Sequence, residues 1–539
     1  MVKAKRARHI SFAIILLISL AVWVGKPVAA QEEEPPKRQT TSVVSIDEYE
    51  WWLIRWTDNL IVCQVLIIHD GMPTTEEVYE DCDQDVYDEW ISTPPCEQAQ
   101  KGESTFSCPG LYLYRVGFQS GEQDITIDLP PPSVWLTITG CSLTPPQNIC
   151  QGVPNLLFTG EEPLPDEHIT AIHVNFEGQS LTCEAEVCEI ALRPTTLSGM
   201  LVEFWADSSF GDSSEHFTAQ VRVVESGVPD SPGMGGWYVD VLSTQWRGGP
   251  VESCAQIWQA FPPVGGPPFW LSSPTQEQLL ASDEPFQYLA GRLITQGLVT
   301  ASECPSNGLL SNGYADACGL SQARPLVDSW QNQFDTSILQ VSQELGLPAQ
   351  LLKNVFAQES QFWPGVFRVT QEYGLGQLTD MGADTVLLWN SAYFDKFCHL
   401  VLSEEACAQG YLGMDEAERA ILRGALATQA NADCKDCPFG IDLVEADSTI
   451  MLFGEGILAN CEQVGQTILN ATLTTPGQIS SYEDLWRFTL ANYNGGPGCL
   501  SFAIHSSWAL REPMDWEHVS THITDACQGM IAYVDKVAR

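Results

Sequence analysis

Two periodicities divide the chain. Between Val134 and Val224 apolar and polar residues alternate in short runs, the period of strands with one buried face. The clearest run sets Phe217, Ala219, Val221 and Val223 against Thr218, Gln220 and Arg222. Val134–Thr139, Ile169–Phe176, Gly199–Ala206 and Phe217–Val224 are accordingly predicted strands, separated by turn residues. From Thr275 onward the period becomes helical. Leu279, Leu280, Leu289 and Leu293 mark residues 275–300, and Ile338, Val341 and Leu345 mark a later helix. Glu416–Ala430, Ser448–Cys461 and Tyr482–Tyr493 are predicted helices as well. Between Gly346 and Gln377, Pro348 suits a first helical position, where its missing N–H would be unpaired anyway. Leu352, Val355, Phe356 and Glu359 then follow at i, i+3, i+4 and i+7, one face of a helix with a carboxylate at its far end.

These patterns predict a multidomain chain: a small α+β unit, an immunoglobulin-like β-sandwich, then a mainly α C-terminal region. Residues 31–44, rich in Glu, Pro, Lys and Thr, have the composition of a linker. In residues 45–128, Trp51–Trp56, Ile61–His69 and Leu111–Phe118 are expected strands. Val78, Tyr79, Val86, Tyr87 and Trp90 mark a helical segment between them. Trp51, Trp52, Trp56 and Trp90 have two readings, a sugar-stacking surface or the core of a small domain, and aromatic residues serve both. After Pro130-Pro131-Pro132, six or seven short strands over residues 130–225 suggest the immunoglobulin-like sandwich, a spacer or adhesive platform whose fold does not settle its task. Residues 226–274, rich in Gly, Pro and Trp, are expected to be a linker with one short helix at Cys254–Phe261. The helical region spans 275–539, with its core at about 317–539.

Composition narrows the setting. The 539 residues are 44% hydrophobic and 17% charged, enough for two to four domains with real cores. Acidic residues outnumber basic ones by 69 to 25, a formal charge of −44 that repels nucleic acid and anionic wall polymers. Lys3, Lys5, Arg6 and Arg8, the apolar run Ile10–Gly25 and Val28-Ala29-Ala30 make residues 1–30 an expected signal peptide, short for a membrane span. Left uncleaved, it would be the one membrane attachment. The first cysteine after it is Cys63, too distant for an N-terminal lipid anchor. Eighteen cysteines agree with export to an extracellular or periplasmic space. Cys183 with Cys188 and Cys141 with Cys150 are candidate local staples. Cys434-x-x-Cys437 has the spacing of a redox pair or of half a zinc site. It lacks a second cysteine pair at zinc spacing and a preceding strand, so a structural disulfide is expected.

The candidate chemistry centres on Glu359. A carboxyl on a core-facing stripe loses hydration, its pKa rises, and it becomes a candidate general acid. The bland alternative is a slightly rotated helix whose last residue reaches water. Glu359-Ser360 is followed by Phe362 and Pro364, by Gly374-Leu375-Gly376-Gln377, and much later by Asn492-Tyr493-Asn494-Gly495-Gly496-Pro497-Gly498. Over roughly the last 220 residues, this order resembles the soluble lytic transglycosylase family of the lysozyme-like superfamily. The chain departs from the family pattern at Asn492, where the family has Ala, and at Asp380, where it usually has Pro.

The resemblance implies a peptidoglycan lytic transglycosylase that cleaves the MurNAc–GlcNAc β-1,4 bond and leaves 1,6-anhydromuramyl ends. Its partner would be the glycan strand, with no cofactor, no metal and no nucleic acid. Glu359 would protonate the leaving oxygen and then act as base. Ser360 would orient it, Gly374 and Gly376 would let the backbone approach the sugar, and Gln377 would bind the sugar through its amide. Tyr493 would reach Glu359 through its hydroxyl, and Asn494 would brace the Gly495–Gly498 turn. Tyr493 also has a bland reading as a core tyrosine. In that family the substrate's N-acetyl group assists and its C6 hydroxyl attacks, so no second carboxylate is required. Glu372, Asp380 and Asp384 lie near Glu359 in sequence but stand in no recognisable partner motif, as expected of solvated or capping residues. His518 and His522 are spaced as a metal pair but show no third ligand. The alternatives are a hydrolytic muramidase, since goose-type lysozymes share the Glu-bearing helix, and a catalytically silent wall-binding or adhesive protein working through its N-terminal modules.

Overall fold

The computed structural model describes residues 37–101, 104–141, 143, 148–231, 234–248, 253–365 and 371–539. The expected signal peptide and the first residues of the expected linker lie outside them.

The N-terminal module is a three-stranded antiparallel sheet of order β2-β1-β3, formed by β1 (Gln39–Arg55), β2 (Ile61–Ile67) and β3 (Leu111–Asp128). Helices α1 (Thr75–Asp81) and α2 (Gln84–Ile91) pack on it. Thr74 starts α1 through a capping box with Glu77. Disulfides Cys63–Cys82 and Cys96–Cys108 close the loops. Trp51, Leu53, Val65, Ile67, Val78 and Leu111 form the core, with Trp90 packed against it. The sequence places a linker up to residue 44, but β1 begins at Gln39 and pairs with β3 from Gln39↔Asp128 to Arg55↔Leu111. The partner strand lies far downstream, so local composition carried no trace of the pairing. At the foot of this ribbon, Arg38 bonds Glu162 and Asp212 of the next module, each at 2.6 Å. The Arg38 guanidinium holds the Glu162 carboxyl at about 2, against the desolvation that works to raise it.

The second module is β-rich, and its strands pair antiparallel, with one parallel bridge from Leu136 to Trp246. One sheet is β4 (Ser133–Thr139), β6 (Asn155–Glu161) and β9 (Val187–Ala191), in the order β4-β6-β9. The other orders β5-β12-β11-β10-β7-β8. It comprises β5 (Ile149–Cys150), β7 (Ile169–Phe176), β8 (Gln179–Cys183), β10 (Met200–Ser208), β11 (Phe217–Ser231) and β12 (Met234–Leu242). Leu136, Phe158 and Ile190 of the first sheet share one core with Val174, Phe204, Val221 and Val239 of the second.

The predicted linker over 226–274 is structured instead. The β11–β12 hairpin occupies it up to Leu242, and α3 (Ser253–Trp258) follows. Trp258 is fully buried in the helical region, its indole N–H donating to the Cys461 carbonyl at 2.9 Å and its ring edge-on to Trp486 at 5.1 Å. Trp270 and Leu271 are buried in the same core. A few large anchors hold this stretch, and their Gly/Pro-rich surroundings leave no period to detect. Arg222 joins the sheet to it, bonding Asp240 at 2.6 Å and the Pro262 carbonyl at 2.7 Å, with its guanidinium over Phe261.

The C-terminal region is helical. Its principal helices are α4 (Gln287–Thr295), α5 (Ala317–Gln331), α6 (Asp335–Leu345), α7 (Ala349–Glu359), α8 (Asp380–Trp389) and α9 (Glu416–Ala430). They continue with α10 (Ile450–Thr472), α11 (Tyr482–Gly495), α12 (Pro497–Ala509) and α13 (Gly529–Val537). The long α10 packs against α3, α6, α8, α11 and α12. All eighteen cysteines are paired, the expected Cys141–Cys150, Cys183–Cys188 and Cys434–Cys437 staples among them. Cys254–Cys461 ties α3 to α10 across 207 residues. Among the described residues no helix is long and apolar enough to cross a membrane.

Candidate functional site

Helix α7 presents its carboxylate as the periodicity predicts. Gly346 ends α6 in the left-handed conformation (φ 63°), Pro348 caps α7, and Leu352, Val355 and Phe356 are buried. Glu359, on the same stripe, is the last helical residue and opens into a cleft of about 440 Å³. Ser360 closes the helix and is buried, its hydroxyl donating back to the Phe356 carbonyl at 3.3 Å.

The next two residues turn the chain sharply. Gln361 (φ 47°) and Phe362 (φ 62°) both take left-handed backbone that side chains other than glycine rarely adopt. Such strain persists only where surroundings hold it. Here the Gln361 side-chain oxygen accepts the N–H groups of Tyr288 and Leu289 at the start of α4, at 2.9 and 3.2 Å, and Phe362 is fully buried.

The cleft environment sets the protonation of Glu359. Burial pushes its pKa up from 4.5 to about 7, the Tyr533 hydroxyl works against that rise, and the nearby Glu372 carboxylate adds to it. Tyr533 comes from α13 and is buried beside Glu359, but its hydroxyl completes no hydrogen bond of regular geometry. Tyr493, on α11, also lines the cleft. Its hydroxyl donates to the Gly376 carbonyl at 2.6 Å and so ties α11 to the Gly374–Gln377 turn. The Tyr493 hydroxyl is thus spent on the turn and not on Glu359, while Tyr533 is the phenol that favours the carboxylate. Burial and the Glu359 charge both push the Tyr493 phenol well above its ordinary value, which keeps it neutral.

Gln377 is buried at the cleft wall in a left-handed conformation (φ 54°). Its amide nitrogen donates to the Gly374 carbonyl, leaving its side-chain oxygen buried without a partner. An unpaired buried acceptor of this kind is suited to an N–H or O–H of a ligand. Gly374 and Gly376 have a different use from the one expected. A Cβ on Gly374 (φ 74°) would meet the Ala430 carbonyl at 2.5 Å, and one on Gly376 would meet the Phe453 ring at 2.4 Å. These glycines let the turn pack against α9 and α10.

Asn494 lies exposed on the cleft wall. The turn it was expected to brace is held by Asn492, whose carbonyl accepts the Gly496 N–H at 2.8 Å. The buried Asn492 amide donates to Asn460 at 2.8 Å and to Gln463 at 2.7 Å on α10. The departure from the resembling pattern is therefore a polar clamp beneath Tyr493.

Among the neighbouring carboxylates, Glu372 and Asp380 line the cleft with Glu359, whereas Asp384 is bound by Arg423 at 3.0 Å and by Tyr411. His518 bonds Asp515 and His522 bonds Glu512, each at 2.6 Å. Gln361 and Tyr533 escaped the sequence reading, and Asn492 entered it only as a departure from the family pattern. A carboxylate-facing tyrosine some 170 residues downstream has no local signal. Asn492, however, was visible as an amide inside an otherwise buried helical stripe. Comparison of the chain with protein-family models, curated proteins and solved structures finds no match.

Proposed function

We propose that the chain is an exported peptidoglycan lytic transglycosylase with Glu359 as general acid and base. The observation that carries this reading is a single carboxyl at the end of a buried stripe, opening into a cleft and holding its proton up to about pH 7. Cleavage of a glycosidic bond requires a proton for the leaving oxygen and relief of an oxocarbenium-like centre. Glu359 gives its proton to the leaving O4 as the C1–O4 bond breaks. The resulting carboxylate then takes the proton of the sugar's own C6 hydroxyl as the O6–C1 bond forms, closing the anhydro ring. No water is consumed. Neutral Tyr493 and Tyr533 flank the carboxylate without competing for the proton.

A hydrolytic muramidase is the second reading, favoured by one observation: Glu372 and Asp380 share the cleft and offer a base for water. Mass spectrometry of fragments released from purified peptidoglycan separates the two, because anhydro ends are one water lighter than reducing ends. Reducing ends would transfer the assignment to a muramidase. No release from several walls would leave the chain a binding protein. In the β-rich module, the three-stranded β4-β6-β9 and the six-stranded β5-β12-β11-β10-β7-β8 share one core, which supports a two-sheet, immunoglobulin-like sandwich with added edge strands, consistent with a spacer between the terminal module and the cleft. Nine disulfides support export to an oxidising compartment.

A further inference from the structure

Strand alternation splits the tryptophans of the first module between two faces. Trp51 and Leu53 point into the core under α1 and α2, so Trp52, Ile54 and Trp56 point to the other side of the sheet. Register places Tyr114 opposite Trp52, Tyr112 opposite Ile54 and Ile61 beyond Ile54, with Leu66 opposite Glu50. Trp56 stacks on Tyr112 with ring centroids 3.9 Å apart. On this face Leu66 is 48%, Tyr114 53% and Ile61 40% exposed, Trp52, Trp56 and Tyr112 are half-buried, and Ile54 is buried. Polar groups interleave with the rings, since Trp52 donates its indole N–H to Glu50 at 2.6 Å and Gln64 is exposed opposite Trp52.

We infer that this face is a platform for a neutral β-linked glycan, separate from the cleft. Rings of Trp and Tyr stack on the apolar faces of pyranoses, and side chains such as Glu50 and Gln64 bond their hydroxyls. A formal charge of −44 disfavours polyanions and anionic bilayers. A second copy is disfavoured by size. Three strands by four or five residues present roughly 200 Å², against about 800 Å² per partner in a stable protein interface. The choice of a wall glycan among neutral polysaccharides rests on the function proposed above. A platform on the same chain as a cleaving cleft would raise the effective substrate concentration there.

The test uses the full-length chain carrying Glu359→Gln, which leaves the glycan uncut. It is sedimented with insoluble peptidoglycan, chitin or cellulose. Retention on at least one is expected, weakened about tenfold by Trp52→Ala with Tyr114→Ala and largely restored by Trp52→Phe with Tyr114→Phe. In the otherwise native chain, the alanine pair should slow release from insoluble wall while sparing cleavage of short soluble oligosaccharides. Undiminished sedimentation of a natively folded alanine pair overturns the assignment, as does failure of the parent chain to bind any of the three. Self-association that Trp52→Ala abolishes would give the face to a second copy instead. Should the alanine pair unfold the module, titration of the parent chain with soluble chito-oligosaccharides decides, and unchanged tryptophan fluorescence overturns the platform. Fragment release is scored separately, so cleft and platform fail independently.

Discussion

Helix α7 carries two charged residues a turn and a half apart, and the protein treats them in opposite ways. Lys353 is buried with every donor engaged: its ammonium bonds Asp335 at 2.7 and 2.9 Å, Asn332 at 2.7 Å and the Leu280 carbonyl. Burial pushes the Lys353 pKa down and the Asp335 pKa up, and the bond between them opposes both shifts. Glu359 receives no comparable partner, and its pKa rises to about 7. A buried charge that only holds structure must be neutralised by neighbours. A group that transfers a proton works best where ionised and neutral forms are close in free energy. The structural end of α7 is saturated, and the chemical end is left short of partners.

The largest effect is expected at the chemical end. Glu359→Gln should lower turnover on peptidoglycan by about 10²- to 10⁴-fold with folding intact, the usual contribution of a general acid, measured by fragment release. Turnover near that of the parent chain would remove Glu359 from the chemistry and end the contrast. Lys353→Met is the structural counterpart. It leaves Asp335 buried and unpaired, and should destabilise the fold by about 3–5 kcal/mol in denaturant unfolding. Lys353→Met with Asp335→Leu should recover much of that loss, because neither charge remains.

The pH dependence sharpens the contrast further. The folded pKa of Glu359 lies above its ordinary 4.5, so the native state binds more protons than the unfolded state between pH 4.5 and 7. Its neutral form contributes stability fully present below about 4.5 and lost as pH rises through 7, on the order of 3 kcal/mol in all. Glu359→Gln should therefore be more stable than the parent chain at pH 8 and indistinguishable from it at pH 4.5, read from thermal midpoints. Turnover of the parent chain should fall as pH rises above about 7, as the acid loses its proton. The smallest change is expected from Tyr533→Phe. Removing the hydroxyl that favours the carboxylate should move that alkaline limb to higher pH by less than one unit, while a downward move would contradict the placement of Tyr533.

Legibility followed the range of the interactions. Helices α7, α9 and α11 lie where period and caps predict them, because an amphipathic stripe is written in residues three and four apart. Glu359 was legible for the same reason, as a charge continuing an apolar stripe. The start of β1, residues 39–44, and the anchoring of the segment around the expected helix at Cys254–Phe261 were read as linker, since their partners, at 123–128 and at Cys461, lie far away in the chain. Trp51 and Trp52 show both halves of this. Alternation decides that they face apart, and only packing decides that Trp51 is buried in the core while Trp52 stays half-exposed.

The sequence by itself determined the succession of α+β, β-rich and helical regions, the three short staples, and the carboxylate at the end of its stripe. All of these depend on neighbours a few residues apart. Only the tertiary structure decided that Tyr533 faces Glu359, that Asn492 clamps the helix beneath Tyr493, and that Gly374 and Gly376 seat a turn on Phe453 and the Ala430 carbonyl. Each of these joins elements that the chain brings together only after the core has closed, when desolvation and close packing give otherwise ordinary residues their roles.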